Sequence, residues 1–477
     1  MRNILNVMVR QTAFIYLTEI LARLANFASV ILIVRYMGED ALGKISYASS
    51  LVFLFAVFTD LGYALVSIKY FAQTGRTDKT VLNPGFTLKL LSSAAVFAVL
   101  AVYSAFVPAD PSVSLLTILF ALDLVISSFL FPYRYAFAGL RLFQYDSVLK
   151  VLTSALSLML LLVLLKIYPD VAAVGAGIPL ACSTVSFFYF QRLNRGLGIV
   201  TPGLTFDRAK LAVFFRSCLP FSIGAIVVMF HQKIGVILLK EFSGFAGVGV
   251  FVIAYKIIEA LNMIPNVILG IIFPAFSSFF VKWDEQAEKA VFILTKYLLI
   301  ISVPVAVLVC FFGGGVLGFL MKKPIGDSGA LLQVLAWALI PSFLYSVTGG
   351  LINAGPKPGA NTSIHIFMAA VYLALLFIFL PSRGFIGLAY SLVIVEWLGL
   401  LVRMVYIRRR ICLTDYPGIF LKVFAAAGIA FTPLFLNKGY AAGAVSLLIY
   451  AGVLGFSGYV NKDEFLAFYR HAGSYGA

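Results

Sequence analysis

Glu19 and Arg23 are the only charges in the apolar run from Phe14 to Val34. A charge in hydrocarbon is costly, so such residues face a protein interior or a water-filled cavity and are functional by default. Thr12, Tyr16, Glu19, Arg23 and Asn26 recur at intervals of four, three, four and three residues, which places them on one helical face. Arg134, Lys233 and Lys256 also lie in or beside apolar runs. Together with Arg23 they form a cationic set suited to an anion, because a guanidinium or ammonium in a low-dielectric cleft makes charge-assisted hydrogen bonds. The competing reading is local neutralisation. Glu19 with Arg23 and Lys256 with Glu259 are spaced as ion pairs on a helix, and Lys233 and Lys256 can snorkel to an interface.

Four other polar residues carry chemistry worth weighing. Asp123 and Glu396 fall near the middle of apolar runs. Each is able to take a coupling proton or sodium ion, or to pair with Arg134 and Arg403 respectively. Asp60 closes the second run and reads as a gate or helix-end residue. His231 titrates near physiological pH, or is a satisfied interior histidine. His365, alone on an apolar stretch, reads as packing. Cys182, Cys218, Cys310 and Cys412 have no metal-ligand spacing, and the first three read as small buried hydrophobes. The Gly-rich string Gly313 to Gly318 lacks the strand–helix setting of a dinucleotide site, and there is no Walker A or His-Glu-x-x-His motif. Neither an enzyme nor a bound cofactor or metal is expected.

The elements that position these residues are transmembrane helices. The chain has 477 residues, 62% hydrophobic and 12% charged, with a mean hydropathy of +1.01. Soluble domains are nearer half apolar and a quarter charged. The reading is an all-α integral membrane protein with about fourteen spans, the first two near 11–34 and 45–68, the seventh and eighth near 213–239 and 247–276. The net charge of +16 is spread over short loops, which favours membrane topology over nucleic-acid binding. Lys and Arg crowd the termini and the even-numbered loops, so both termini are expected in the cytoplasm, with the plasma membrane as the location. Pro132, Pro220, Pro265, Pro274, Pro304 and Pro341 interrupt spans and are expected to bend them.

An internal repeat divides the chain. Gly43 and Ala48 recur as Gly249 and Ala254, 206 residues later. Ala138-Gly139-Leu140-Arg141 corresponds to Ala354-Gly355-Pro356-Lys357, and Gly175 to Gly387. Near-constant offsets point to two six-helix bundles, 1–190 and 213–410, related by a pseudo-two-fold along the membrane normal. A cytoplasmic linker at 191–212 joins them, two additional spans follow at 411–460, and 461–477 is a cytoplasmic tail. Asp60 then corresponds to Asn266, and Asn26 falls near His231.

The pattern Arg35, Gly38, Gly43 and Ala48, followed by Asp60-Leu61-Gly62, resembles the start of lipid-linked-oligosaccharide flippases of the polysaccharide-export type. These belong to the multidrug/oligosaccharidyl-lipid/polysaccharide exporter superfamily. Cys218-Leu219-Pro220 likewise resembles the opening of that family's second half. The resemblance implies movement of a polyprenyl-pyrophosphate-linked oligosaccharide between leaflets by alternating access. It also implies that the first two helices of each half line a central cavity; the polar stripes would then bring Glu19, Arg23, Asn26, Asp60, His231, Lys233, Lys256 and Glu259 to it, with Arg134 joining from the fourth span. The implied partners are the lipid-linked glycan, membrane lipids, and glycosyltransferases or a polymerase of the same pathway. Two readings compete: a multidrug/cation antiporter, which needs a net acidic cavity, and a non-transporting scaffold for glycan assembly, in which the charges are replaceable.

Overall fold

A computed structural model of the chain describes residues 2–60, 62–75, 77–107, 110–280, 285–322, 327–357, 359–410, 416–436, 439–457 and 459. The expected tail 461–477, Cys412 and Leu61 lie outside them, as do the side chains of Thr12, Tyr16, Pro220 and Pro274. The regular elements among the described residues are all helices. They are α1 (Arg2–Asp60), α2 (Tyr63–Thr74), α3 (Lys79–Phe106), α4 (Pro111–Ser128), α5 (Phe131–Gly139), α6 (Phe143–Ile167), α7 (Ile178–Leu197) and α8 (Arg208–Leu261). Then come α9 (Met263–Phe279), α10 (Glu285–Met321), α11 (Ser328–Leu335), α12 (Leu339–Ala354), α13 (Gly359–Arg410), α14 (Tyr416–Ala430), α15 (Thr432–Leu436) and α16 (Tyr440–Phe456).

Nine of these stretches are long and apolar enough to cross a membrane, against the fourteen runs expected. Continuity accounts for part of the difference. The spans expected at 11–34 and 45–68 lie largely in one helix, α1, of 59 residues. A straight helix of that length would extend about 90 Å, some three times the ~30 Å hydrocarbon layer. The chain breaks instead at Gly38 (φ 89°, ψ 174°), within the polar turn, in backbone that residues with a Cβ avoid. α8 breaks in the same manner at Gly244 and α13 at Gly384. Two shorter apolar helices, Pro417–Ala430 and Tyr440–Phe456, follow. The second run ends earlier than expected: Gly62 (φ 80°) turns the chain, and Tyr63 starts the separate helix α2.

The described chain forms two compact units, Met1–Val252 and Ile253–Ala477. Within the first, α6 packs along α1, and α4 packs against α1, α3 and α7. The loops sort by parity. At one end Lys44 reaches Asp110 at 2.7 Å and Asp40 at 3.1 Å, and Tyr47 meets Phe245 edge-on at 5.6 Å. At the other end the linker is pinned to the start of α3. Gly203 N–H donates to Asn83 Oδ1 at 3.0 Å and Thr205 N–H to Thr87 Oγ1 at 2.9 Å. A core of Phe71, Leu82, Phe137, Phe190 and Val200 holds that end together. Odd-numbered and even-numbered loops thus gather at separate ends of the unit, as helices crossing a layer in alternation require. In the second unit α12 is the buried element, packed by α9, α10 and α13; Leu339, Phe343, Leu344, Val347 and Leu351 are fully or nearly fully enclosed.

Candidate functional site

Three helices of the first unit bring five charged side chains into one line. Arg23 Nε donates to Glu19 Oε1 at 3.0 Å, one turn apart on α1. Lys150 Nζ of α6 donates to the other oxygen, Glu19 Oε2, at 3.3 Å. The same ammonium lies 3.6 Å from Asp146 Oδ2, one turn back on α6. Asp146 Oδ1 in turn accepts from Arg134 Nε of α5 at 2.8 Å. The order is Arg134, Asp146, Lys150, Glu19, Arg23: three cations around two carboxylates, a net charge of +1.

The expected Glu19–Arg23 pair therefore forms, but it does not close on itself. Each guanidinium donates its Nε to a carboxylate. Among the described residues no second carboxylate pairs with either Arg23 or Arg134, and the fork of Nη donors is the edge that binds a phosphate in bidentate fashion. All five side chains keep between 26% and 38% of their surface exposed. At that exposure each pair alone is worth ~0–1 kcal/mol in water. The network is thus accessible and only loosely self-satisfied, which suits a site that exchanges partners.

Asp146 and Lys150 are absent from the residues singled out in the sequence, although the signal is there. They are an acid and a base four residues apart at the head of an apolar run, the same spacing that singles out Glu19 and Arg23. Arg134 is an expected partner for Asp123; the structure pairs it with Asp146 instead. Asp123 makes none of the ion pairs among the described residues, and its Oδ1 is a buried acceptor without a donor.

The other expected site residues lie apart from this line. Asn26 is exposed on α1, one turn beyond Arg23. Asp60 caps α2 through Ala64 N–H at 3.0 Å and accepts from Tyr135 Oη at 2.7 Å. Lys89, buried and stacked 3.5 Å over the Phe131 ring, stands 3.6 Å from the same carboxylate. The helix-end role of Asp60 thus has a geometric basis in three neighbouring elements. Lys89 is a buried charge that a scan for cations inside apolar runs would have found. On α8, His231 is half-buried, and Lys233 lies 5.3 Å from the Phe53 ring.

In the second unit Lys256 and Glu259 form the expected local pair at 2.7 Å. Glu396 and Arg403 interact electrostatically but form no ion pair within 4.0 Å among the described residues. Arg403 donates instead to Asn361 Oδ1 at 3.3 Å and lies 4.6 Å over the Tyr345 ring. The Tyr345 hydroxyl lies 3.1 Å from His365 Nε2, so His365 is hydrogen-bonded as well as packed.

Helices long and apolar enough to cross a membrane, repeated along the described residues, define a multi-pass membrane protein. The chain belongs to the polysaccharide biosynthesis protein family, whose model matches residues 8–280, more than half of its length. Its fold is that of the multidrug and flippase transporters. The lipid II flippase MurJ in an inward closed conformation superposes with a TM-score of 0.75 at 13% identity, covering 93% of this chain and 98% of that one. An inward-facing multidrug resistance MATE family transporter of the MOP superfamily gives 0.65 at 16% identity, covering 82% and 94%. The MATE multidrug transporter DinF-BH gives 0.61 at 14%, covering 84% and 94%. No curated protein matches the sequence significantly.

Proposed function

We propose that the protein is a flippase that carries a polyprenyl-pyrophosphate-linked oligosaccharide across the plasma membrane for polysaccharide or envelope-glycan synthesis. The observation that supports this most is the line from Arg134 to Arg23, a net-cationic site on α1, α5 and α6 in which, among the described residues, each guanidinium meets one carboxylate. Pyrophosphate oxygens would take the Nη donors of Arg23 and Arg134, with Lys150 between them drawn off its two carboxylates. Glu19 and Asp146 would hold the cations in place when the substrate is absent. Asn26, Asp60, His231, Lys233, Lys256 and Glu259 are kept as contacts for the glycan or for gating.

In this reading α1, α8 and α13 each cross twice, folding back at Gly38, Gly244 and Gly384. With the remaining spans and the two shorter helices the chain makes fourteen crossings, both termini in the cytoplasm. The charge site faces the two leaflets alternately while the lipid tail stays in the bilayer. Glycosyltransferases or a polymerase would supply and consume the glycan. A cation antiporter is disfavoured because three cations outnumber two acids at the site.

The test is the leaflet distribution of a lipid-linked oligosaccharide in vesicles holding the purified protein. Wild type should equilibrate it between leaflets, and Arg23→Ala with Arg134→Gln should not. Equal movement by wild type and the double variant would remove this role from the site.

A further inference from the structure

Arg403, in the second unit, is a buried cation held by neutral groups. Only 5% of its surface is exposed. Its Nε donates to the side-chain oxygen of Asn361, and its guanidinium lies over the Tyr345 ring. Arg403 and Asn361 stand on opposite sides of the break at Gly384 in α13. α12 completes the cluster. Asn361 Nδ2 donates to Asn353 Oδ1 at 3.0 Å and to the Tyr345 hydroxyl at 3.4 Å, and that hydroxyl lies 3.1 Å from His365 Nε2. Gly399, one turn before Arg403, makes the room: a Cβ there would fall 2.9 Å from Arg403 Nη1.

The chain around this cluster is poor in acids. α11 and α12 pack on α13, and the whole stretch 328–354 contains no Asp or Glu. α13 has one acid, Glu396, seven residues before Arg403. That is ~10 Å along the helix axis, too far for a hydrogen-bonded pair. Among the described residues Arg403 forms no ion pair within 4.0 Å. A guanidinium keeps its proton in a protein and carries five N–H donors, and a buried charge is costly unless it is paired. Asn361 takes one donor and brings no charge. A small monovalent anion brings both what is lacking, one negative charge and acceptor capacity for the Nη donors. A phosphate monoester, at about −1.5 to −2, would exceed the single cation. We propose that the Arg403 guanidinium binds a small monovalent anion of the halide class where α12 meets the two limbs of α13, and that the anion clamps these three crossings together. The site does not rest on the flippase reading.

The test uses the purified full-length protein in detergent, with sodium chloride, bromide, phosphate or gluconate at matched ionic strength. The thermal midpoint should rise saturably, by several degrees, as chloride or bromide replaces gluconate, because a ligand that binds only the folded state stabilises it. Phosphate should not substitute for either halide. Asn361→Asp sets a carboxylate against the same Nε and so supplies the charge from the chain. In gluconate it should match the wild-type midpoint in chloride, and it should respond to neither halide. Arg403→Met removes the cation at similar length and should also lose the response; if it does not fold, Asn361→Asp still decides. Anomalous scattering from crystals grown in bromide should place a peak beside the Arg403 Nη groups in wild type and none there in Asn361→Asp. Equal wild-type midpoints in chloride and gluconate overturn the site. So does a halide response that survives in Asn361→Asp, which would belong elsewhere, as on the charged line of α1, α5 and α6. A response to phosphate alone overturns the halide class.

Discussion

Gly43 and Gly249 pack backbone to backbone, and they do so reciprocally. A Cβ on Gly43 would fall 1.8 Å from the carbonyl oxygen of Phe245, and one on Gly249 would fall 1.9 Å from that of Glu39. Phe245 precedes Gly249 by four residues, as Glu39 precedes Gly43. Glycine is needed in both because the approaching atoms are main chain. Lys44, Tyr47 and Phe245 surround the crossing.

Alanine at either glycine should destabilise the protein by about 1–3 kcal/mol, the range of overpacking a tight contact. Gly43→Ala and Gly249→Ala should be less than additive in combination, since the first shift of α1 against α8 relieves the second. Thermal denaturation of the detergent-solubilised single and double variants reads both effects. Wild-type midpoints in both single variants would contradict the contact.

Arg23→Ala and Arg23→Lys should both lower export about tenfold or more at unchanged membrane abundance. One charge-assisted contact is worth ~1.5–3 kcal/mol, and an ammonium does not reproduce the fork. Glu19→Gln should be milder, because Lys150 and Arg23 stay cationic. Local neutralisation forecasts otherwise: the Glu19→Gln/Arg23→Gln double variant would regain function. Export normalised to protein level in the four variants separates the two.

The Arg134–Asp146 pair should contribute less than about 1 kcal/mol to stability, since both side chains are partly exposed. A double-mutant cycle of Arg134→Gln and Asp146→Asn on the denaturation midpoint tests this. Glycan flux should nevertheless fall sharply in Arg134→Gln, and in Lys150→Gln. A large stability coupling with unchanged flux would make the pair structural.

Asp110 precedes α4, outside the spans. Its hydrogen bond from Lys44, aided by the side chain and backbone of Ser112, lowers its carboxyl from 3.8 to about 2. A carboxylate depressed by folding stabilises above its unfolded value and loses that contribution as pH falls through the folded one. The gap in denaturation midpoint between wild type and Asp110→Asn should be full near pH 5 and shrink toward pH 2. A gap that does not change over this window would show that the Lys44 contact is not formed in solution.

Topology has its own test. Cysteines introduced at Gln73 and Arg195 should resist an impermeant thiol reagent in intact cells, and those at Asp110, Gly244 and Ser382 should react. The reverse pattern would invert the orientation argued from Lys and Arg.

The fold class was legible because hydropathy and helical period are local properties. The apolar runs and the turn at Gly38 can be read without knowing which helices touch. So can the 4-3 stripe that singles out Glu19 and Arg23, since residues on one helix face are neighbours whatever packs against them. Continuity across a glycine break is harder, because a broken helix and a helix–loop–helix carry the same hydropathy. That is why three pairs of the fourteen runs merge into α1, α8 and α13 among the described residues, while two more runs form helices too short to count among the nine spans.

The sequence by itself determined that charges must be sheltered within apolar helices and where along the chain they stand. Only the tertiary structure decided their partners. Asp146 rather than Asp123 holds Arg134, Lys150 stands between two carboxylates, and Asp60 is met by Lys89 and Tyr135. The reason is that a charge is neutralised within about 4 Å. Which side chains come that close across α1, α5 and α6, or across α1, α3 and α5, is set by how those helices pack, and no spacing along one helix encodes it.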